Sequence, residues 1–117
     1  MNIPKLSVFK SLFNSKETPY TLTILDVYER IKNGYSDLNK KIDRLRAMDE
    51  NSEEHRAMKN SLLAIMFNGT FNERNDNGLV EHSGLCVLDF DDYPDAVTMD
   101  NERQKLQNCP FVYLVFT

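Results

Sequence analysis

Leu6 to Phe9 alternates apolar and polar side chains, and this period of two predicts a short strand. Ile24, Leu25, Val27, Tyr28 and Ile31 then recur at helical spacing. Thr23 precedes them as an N-cap, Asp26 follows it as in a capping box, and Gly34 closes the helix. Helical patterning resumes from Asp37 to Met48, with Leu38, Ile42 and Leu45 on one stripe. After a polar break over Asp49 to Glu54, His55 to Leu63 adds another helical piece. Ala64 to Phe71 is apolar and reads as a second strand, and Asn72 to Asn77 as a turn-rich loop. Leu85-Cys86-Val87-Leu88 is a continuous apolar run, the pattern of a strand covered on both faces. It ends in Asp89-Phe90-Asp91-Asp92. Beyond Pro94, Thr98 caps a helix to about Gln107, Pro110 stops it, and Phe111 to Phe116 reads as a fourth strand.

These elements predict an α+β protein. Their order is that of the split βαββαβ sheet, RRM-like or ferredoxin-like, with helices on one face and an enlarged first helical connection. No repeat, low-complexity tract or linker divides the chain, so residues 1–117 are expected to form a single domain. Hydrophobic residues make up 41% of it, and seven Phe and five Tyr can fill a core. A chain of this length buries roughly 65% of its unfolded surface and folds without staples.

The candidate chemistry lies at the end of the apolar run. On a strand, Asp89 and Asp91 leave the same face, while Cys86, Leu88 and Phe90 point into helix packing. Two carboxylates on one face repel, and a hard divalent cation relieves the repulsion. Mg²⁺ typically takes one or two carboxylates and completes its shell with water and substrate phosphate. Asp92 and Asp95 add charge, and from Asp76 to Glu102 there are eight acids and no Lys or Arg. The plainer alternative is an apolar strand that leaves the core through turn-forming Asp residues.

Other features are weaker. His82 stands just before the acidic run and can contact a phosphate or a metal-bound water, or be a hairpin residue with no task. Arg74 can hold a phosphate by its planar fork or make a surface ion pair. Lys40, Lys41, Arg44 and Arg46 make a basic helical face, which suits nucleic acid or solvent. Ser83 has no activating partner in the sequence, so hydrolase chemistry is not expected.

Composition narrows the classes. The formal charge of -4 argues against coating DNA without regard to sequence. Cys86 and Cys109 lack metal-site or disulfide-framework spacing and read as reduced thiols in or near the core. No apolar run approaches the ~20 residues of a membrane span, and no signal peptide is visible, so a cytoplasmic location is expected.

The residues also resemble a family. Leu6-Ser7-Val8-Phe9-Lys10, Leu25-Asp26-Val27-Tyr28-Glu29-Arg30-Ile31, Phe67-Asn68-Gly69-Thr70-Phe71 and above all Glu81 through Asp91 resemble the VirE N-terminal domain. That domain is similar to the archaeo-eukaryotic primase (primase-polymerase) superfamily, whose first motif is an apolar strand ending in Asp-x-Asp. The resemblance implies Asp89 and Asp91 as catalytic ligands of Mg²⁺ or Mn²⁺, with His82 and Arg74 as nucleotide or phosphate contacts. It implies nucleotidyl transfer in replication of a mobile element or phage. Nucleic acid, a nucleoside triphosphate and a helicase or other replication protein are the implied partners. The superfamily's second and third motifs do not occur in these 117 residues, and Thr117 falls about where the second begins. The expectation is therefore the N-terminal part of such a domain, inactive as this chain alone, with an open last strand that favours a homodimer or docking. The alternative is a non-catalytic interaction module that docks on a replication or defence protein.

Overall fold

The computed structural model describes residues 3–11, 17–34 and 36–116, so Thr117 lies outside the described residues. They form an α+β protein with four α-helices and five short strands among the described residues. The chain separates into two compact units, one reaching Val87 and the other starting at Leu88.

The first unit is built around strand β1 (Lys5–Phe9), the centre of a three-stranded antiparallel sheet. Strand β2 (Tyr20–Thr23) pairs with one edge of β1 and strand β3 (Ala64–Met66) with the other. Leu6, Ser7, Val8 and Phe9 are all buried. The alternation over these residues therefore marks a strand covered on both faces, and the polar position Ser7 points inward. Its hydroxyl accepts from the Phe71 amide at 2.8 Å and donates to the Phe71 carbonyl at 3.2 Å. One side chain thus replaces a pair of ladder hydrogen bonds and satisfies both backbone groups.

Strand β2 runs directly into helix α1 (Ile24–Asn33), and the Ile24 amide donates to the Pro4 carbonyl at 3.0 Å. The capping box forms as expected. Asp26 N–H donates to the Thr23 hydroxyl at 3.1 Å, and Thr23 N–H donates to the Asp26 carboxylate at 2.9 Å. Ile24 and Val27 supply the buried stripe of α1, and Gly34 closes it with a φ of 71°. Helix α2 (Ser36–Ala47) buries Leu45, and helix α3 (Glu53–Asn60) is capped by Ser52, whose hydroxyl accepts from His55 N–H.

The capping box makes α1 sensitive to acid. The Thr23 backbone N–H, and then its hydroxyl, hold the Asp26 carboxyl below its ordinary value of 3.8. A lowered folded-state pKa means stabilisation that is complete above the ordinary value and is lost as pH falls through the lowered one. The Thr23 and Asp26 amides should therefore keep their hydrogen-exchange protection at pH 5 and lose it below about pH 3.8. In Asp26→Ala protection should be low at both. Equal protection across that range in the wild type would contradict the assignment.

The apolar run Ala64 to Phe71 is two strands rather than one. A turn at Phe67 and Asn68 separates β3 from strand β4 (Gly69–Phe71), which leaves the first sheet and pairs with strand β5 (Leu79–His82) in a two-stranded hairpin. The Asn68-Gly69 dipeptide is the turn signal inside that run.

The expected strand over Leu85–Leu88 is absent. Residues 85–93 carry no regular structure, and Val87, Leu88 and Phe90 are exposed, as is Cys86. The local cause is the exit from β5. Ser83 N–H donates to the Asn68 carbonyl, and the Ser83 hydroxyl donates to the Phe67 carbonyl at 2.6 Å and accepts from Leu85 N–H at 3.1 Å. Gly84 then takes a φ of 81°, and the chain turns out of the hairpin. A continuous apolar run becomes a strand only where a neighbour completes its ladder.

In the second unit, helix α4 (Ala96–Gln107) begins at an Asp95 cap, not at Thr98. The Asp95 carboxylate accepts from Thr98 N–H at 2.6 Å, which makes Thr98 the capped residue. Asp100 and Glu102 pair with Arg103 and Lys105 along the helix surface. The expected strand over Phe111–Phe116 is also irregular in structure, and Phe111 is 94% exposed. Among the described residues, no helix is long and apolar enough to cross a membrane.

Candidate functional site

The acidic segment is an exposed, irregular stretch of the second unit. Asp89, Asp91 and Asp92 are all exposed, and Asp92 has a φ of 61° in the left-handed region that Asp tolerates better than most side chains. Asp89 and Asp91 would leave the same face only on a strand, and residues 85–93 do not form one. What remains is a pair of carboxylates two residues apart with no hydrogen bond or ion pair among the described residues. Asp95 leaves the cluster altogether, because its charge caps α4. Thr98 N–H holds its carboxyl below the ordinary value, as Thr23 does for Asp26.

These donors fit Mg²⁺ or Mn²⁺ in kind, since hard cations take carboxylate oxygens and keep several waters. Among the described residues, no group of three His, Cys, Asp or Glu stands close enough to hold an ion. A cation at Asp89 and Asp91 would therefore depend on water and substrate for most of its shell.

His82 and Arg74 lie in the first unit, at opposite ends of the β4–β5 hairpin. His82 is the last residue of β5 and stands opposite Gly69, whereas Arg74 lies in the loop after Phe71. The length of β5 alone separates these ends by about 10 Å, at ~3.3 Å per residue. Arg74 is half-buried and already held by an interaction within the protein. His82 is exposed and borders a cleft of about 590 Å³. Lys5, Thr23, Thr70, Glu81 and Ser83 also line this cleft. The sequence offered no sign of Lys5 or Thr70, because only the packing of β4 near β1, far apart along the chain, brings them to one cleft. On the basic face of α2, Lys41 reaches the Ser61 carbonyl at 3.4 Å, while Lys40, Arg44 and Arg46 are exposed.

Residues 57–117 match the family described as BT4734-like, N-terminal domain. The match spans just over half of the sequence, from within α3 through the hairpin and the acidic stretch to the end of the chain. The chain belongs to the BT4734-like N-terminal domain family. No curated protein and no solved structure matches it. Arg74, His82, Asp89 and Asp91 all fall inside the stretch that defines this BT4734-like chain, whereas β1, with its central core residues, falls outside it.

Proposed function

We propose that the chain is part of a primase-polymerase-like domain for metal-dependent nucleotidyl transfer in the replication of a mobile element or phage, acting in the cytoplasm. The observation that carries this reading is the Asp89-Phe90-Asp91 pair, with both carboxylates exposed and unengaged among the described residues. Asp89 and Asp91 would hold Mg²⁺ or Mn²⁺. When bound, such an ion supplies charge neutralisation and orientation for a nucleoside triphosphate. His82 and Arg74 serve as separate phosphate contacts, since they occupy different ends of one hairpin. Nucleic acid and a helicase or other replication protein are the corresponding partners. The ferredoxin-like βαββαβ sheet belongs to the same reading and requires residues 85–88 and 111–116 to gain ladder hydrogen bonds.

A second reading has its own observation. Leu88, Phe90, Val97, Phe111, Tyr113 and Phe116 are all more than half exposed. Exposed apolar side chains at this density mark interaction surfaces. A non-catalytic module that docks on a replication or defence protein, or on a second copy of itself, would cover them.

Mn²⁺ titration separates the readings. Its paramagnetism should broaden the amide signals of residues 89–92 selectively and at low stoichiometry, with modest affinity because two carboxylates make an incomplete shell. Asp89→Asn/Asp91→Asn should lose the selective broadening. Identical titrations of the two proteins would remove the metal site and leave the docking module.

A further inference from the structure

We infer that the cleft where β1, β2 and the β4–β5 hairpin meet is an oxyanion site that takes a phosphate group, with Lys5, Thr70 and His82 as its donors. This rests on the reading of His82 as a phosphate contact and extends it to residues from other strands. All three line this one cleft. Lys5 opens β1 opposite Thr23, Thr70 stands opposite Glu81, and His82 closes β5 opposite Gly69.

The donors differ from the cleft's two other hydroxyl groups in one respect. Thr23 is spent on Asp26, and Ser83 on Phe67 and Leu85. The side chains of Lys5, Thr70 and His82 make no hydrogen bond or ion pair among the described residues. An ammonium, a hydroxyl and an imidazole N–H present donors in several directions. That set matches the oxygens of a tetrahedral phosphate better than the two coplanar oxygens of a carboxylate. Lys5 provides a point charge, the usual lysine contribution to phosphate binding.

The walls are fixed by backbone bonds. Ile24 N–H donates to the Pro4 carbonyl beside Lys5. Ser7 ties β1 to Phe71 at the end of β4. Gly69 permits close approach at His82, because a Cβ there would collide with the Glu81 carbonyl oxygen. Glu81 is the opposing charge on the cleft and limits its affinity.

The test is titration of inorganic phosphate into ¹⁵N-labelled full chain, in chelator, against chloride at matched ionic strength. Saturable shifts of the Lys5, Thr70 and His82 amides are expected, with weak affinity. Lys5→Ala and His82→Ala should each weaken binding about threefold, as expected for exposed charges, and Glu81→Gln should tighten it by a similar factor. All three side chains are exposed, so the variants should keep the fold. Shifts that chloride reproduces, or that survive Lys5→Ala/His82→Ala unchanged, overturn the site. Asp89→Asn/Asp91→Asn should bind phosphate like the wild type, and loss of binding there would also overturn it. A failed metal site with an intact phosphate site, or the reverse, shows which of the two proposals is wrong.

Discussion

Ser7→Ala should lower the unfolding free energy by about 2–4 kcal/mol, because two buried backbone groups lose their hydrogen bonds to its hydroxyl and each costs about 1–3 kcal/mol when left unsatisfied. Ser7 is 1% exposed, and its hydroxyl both accepts from and donates to Phe71. The site is closed to bulk solvent, so water does not readily replace the lost hydroxyl. Domains of this kind have about 5–15 kcal/mol of stability in total, so this one hydroxyl accounts for a large share. The effect is also directional. The Phe71 amide should lose hydrogen-exchange protection before the amides of α1 do, since the bond joins β4 to β1 and leaves the α1 cap untouched. Denaturant melts at equal slope provide the magnitude. A loss below about 0.5 kcal/mol, within the range of ordinary surface changes, would show that Phe71 finds other partners and that Ser7 does not link the strands.

Gly69→Ala should cost about 2–3 kcal/mol, at the upper end for overpacking, because the obstacle is rigid. A Cβ on Gly69 meets the Glu81 carbonyl oxygen, with the Glu81 carbonyl carbon and His82 Cα close behind. No side chain can swing away, so the two strands must separate at the end that carries His82. Phosphate-dependent shifts at Thr70 and His82 should weaken together with stability. Gly84→Ala is the contrasting change, because nothing lies within 4 Å of its Cβ and only its φ of 81° resists a side chain. It should cost about 1 kcal/mol. If Gly69→Ala matched Gly84→Ala in its melt and kept the His82 amide shift, the close approach of β4 and β5 would not limit the hairpin.

Several elements were legible because their causes are local. Thr23, Asp26 and Gly34 bracket α1 through bonds that reach no more than four residues along the chain. The stripe of Leu38, Ile42 and Leu45 marked α2, and Pro110 followed the end of α4. Position β1 was also readable, although not its depth. An alternating pattern implies one wet face, and only the presence of β2, β3 and β4 around β1 explains why Ser7 is buried. The strands β2 and β5 escaped notice because their patterns are short and polar, and they exist through the partners beside them.

The candidate site divides along the same line. Composition and spacing alone singled out Asp89 and Asp91, and their exposure keeps both available to a cation. Their orientation depended on a strand that residues 85–93 do not form, because Ser83 and Gly84 turn the chain away before any neighbour can pair with it. Asp95 looked like a fourth acid of the cluster until the start of α4 claimed it as a cap. By itself, then, the sequence determined the α+β class, the helices, the caps of α1 and the acidic motif, all of which follow from interactions within a few residues. Tertiary structure decided that a serine would lie in the core, that one apolar run would split between two sheets, and that Lys5 would meet Thr70 and His82 across one cleft. Those outcomes depend on which backbone groups find partners across the fold, and no local pattern records that choice.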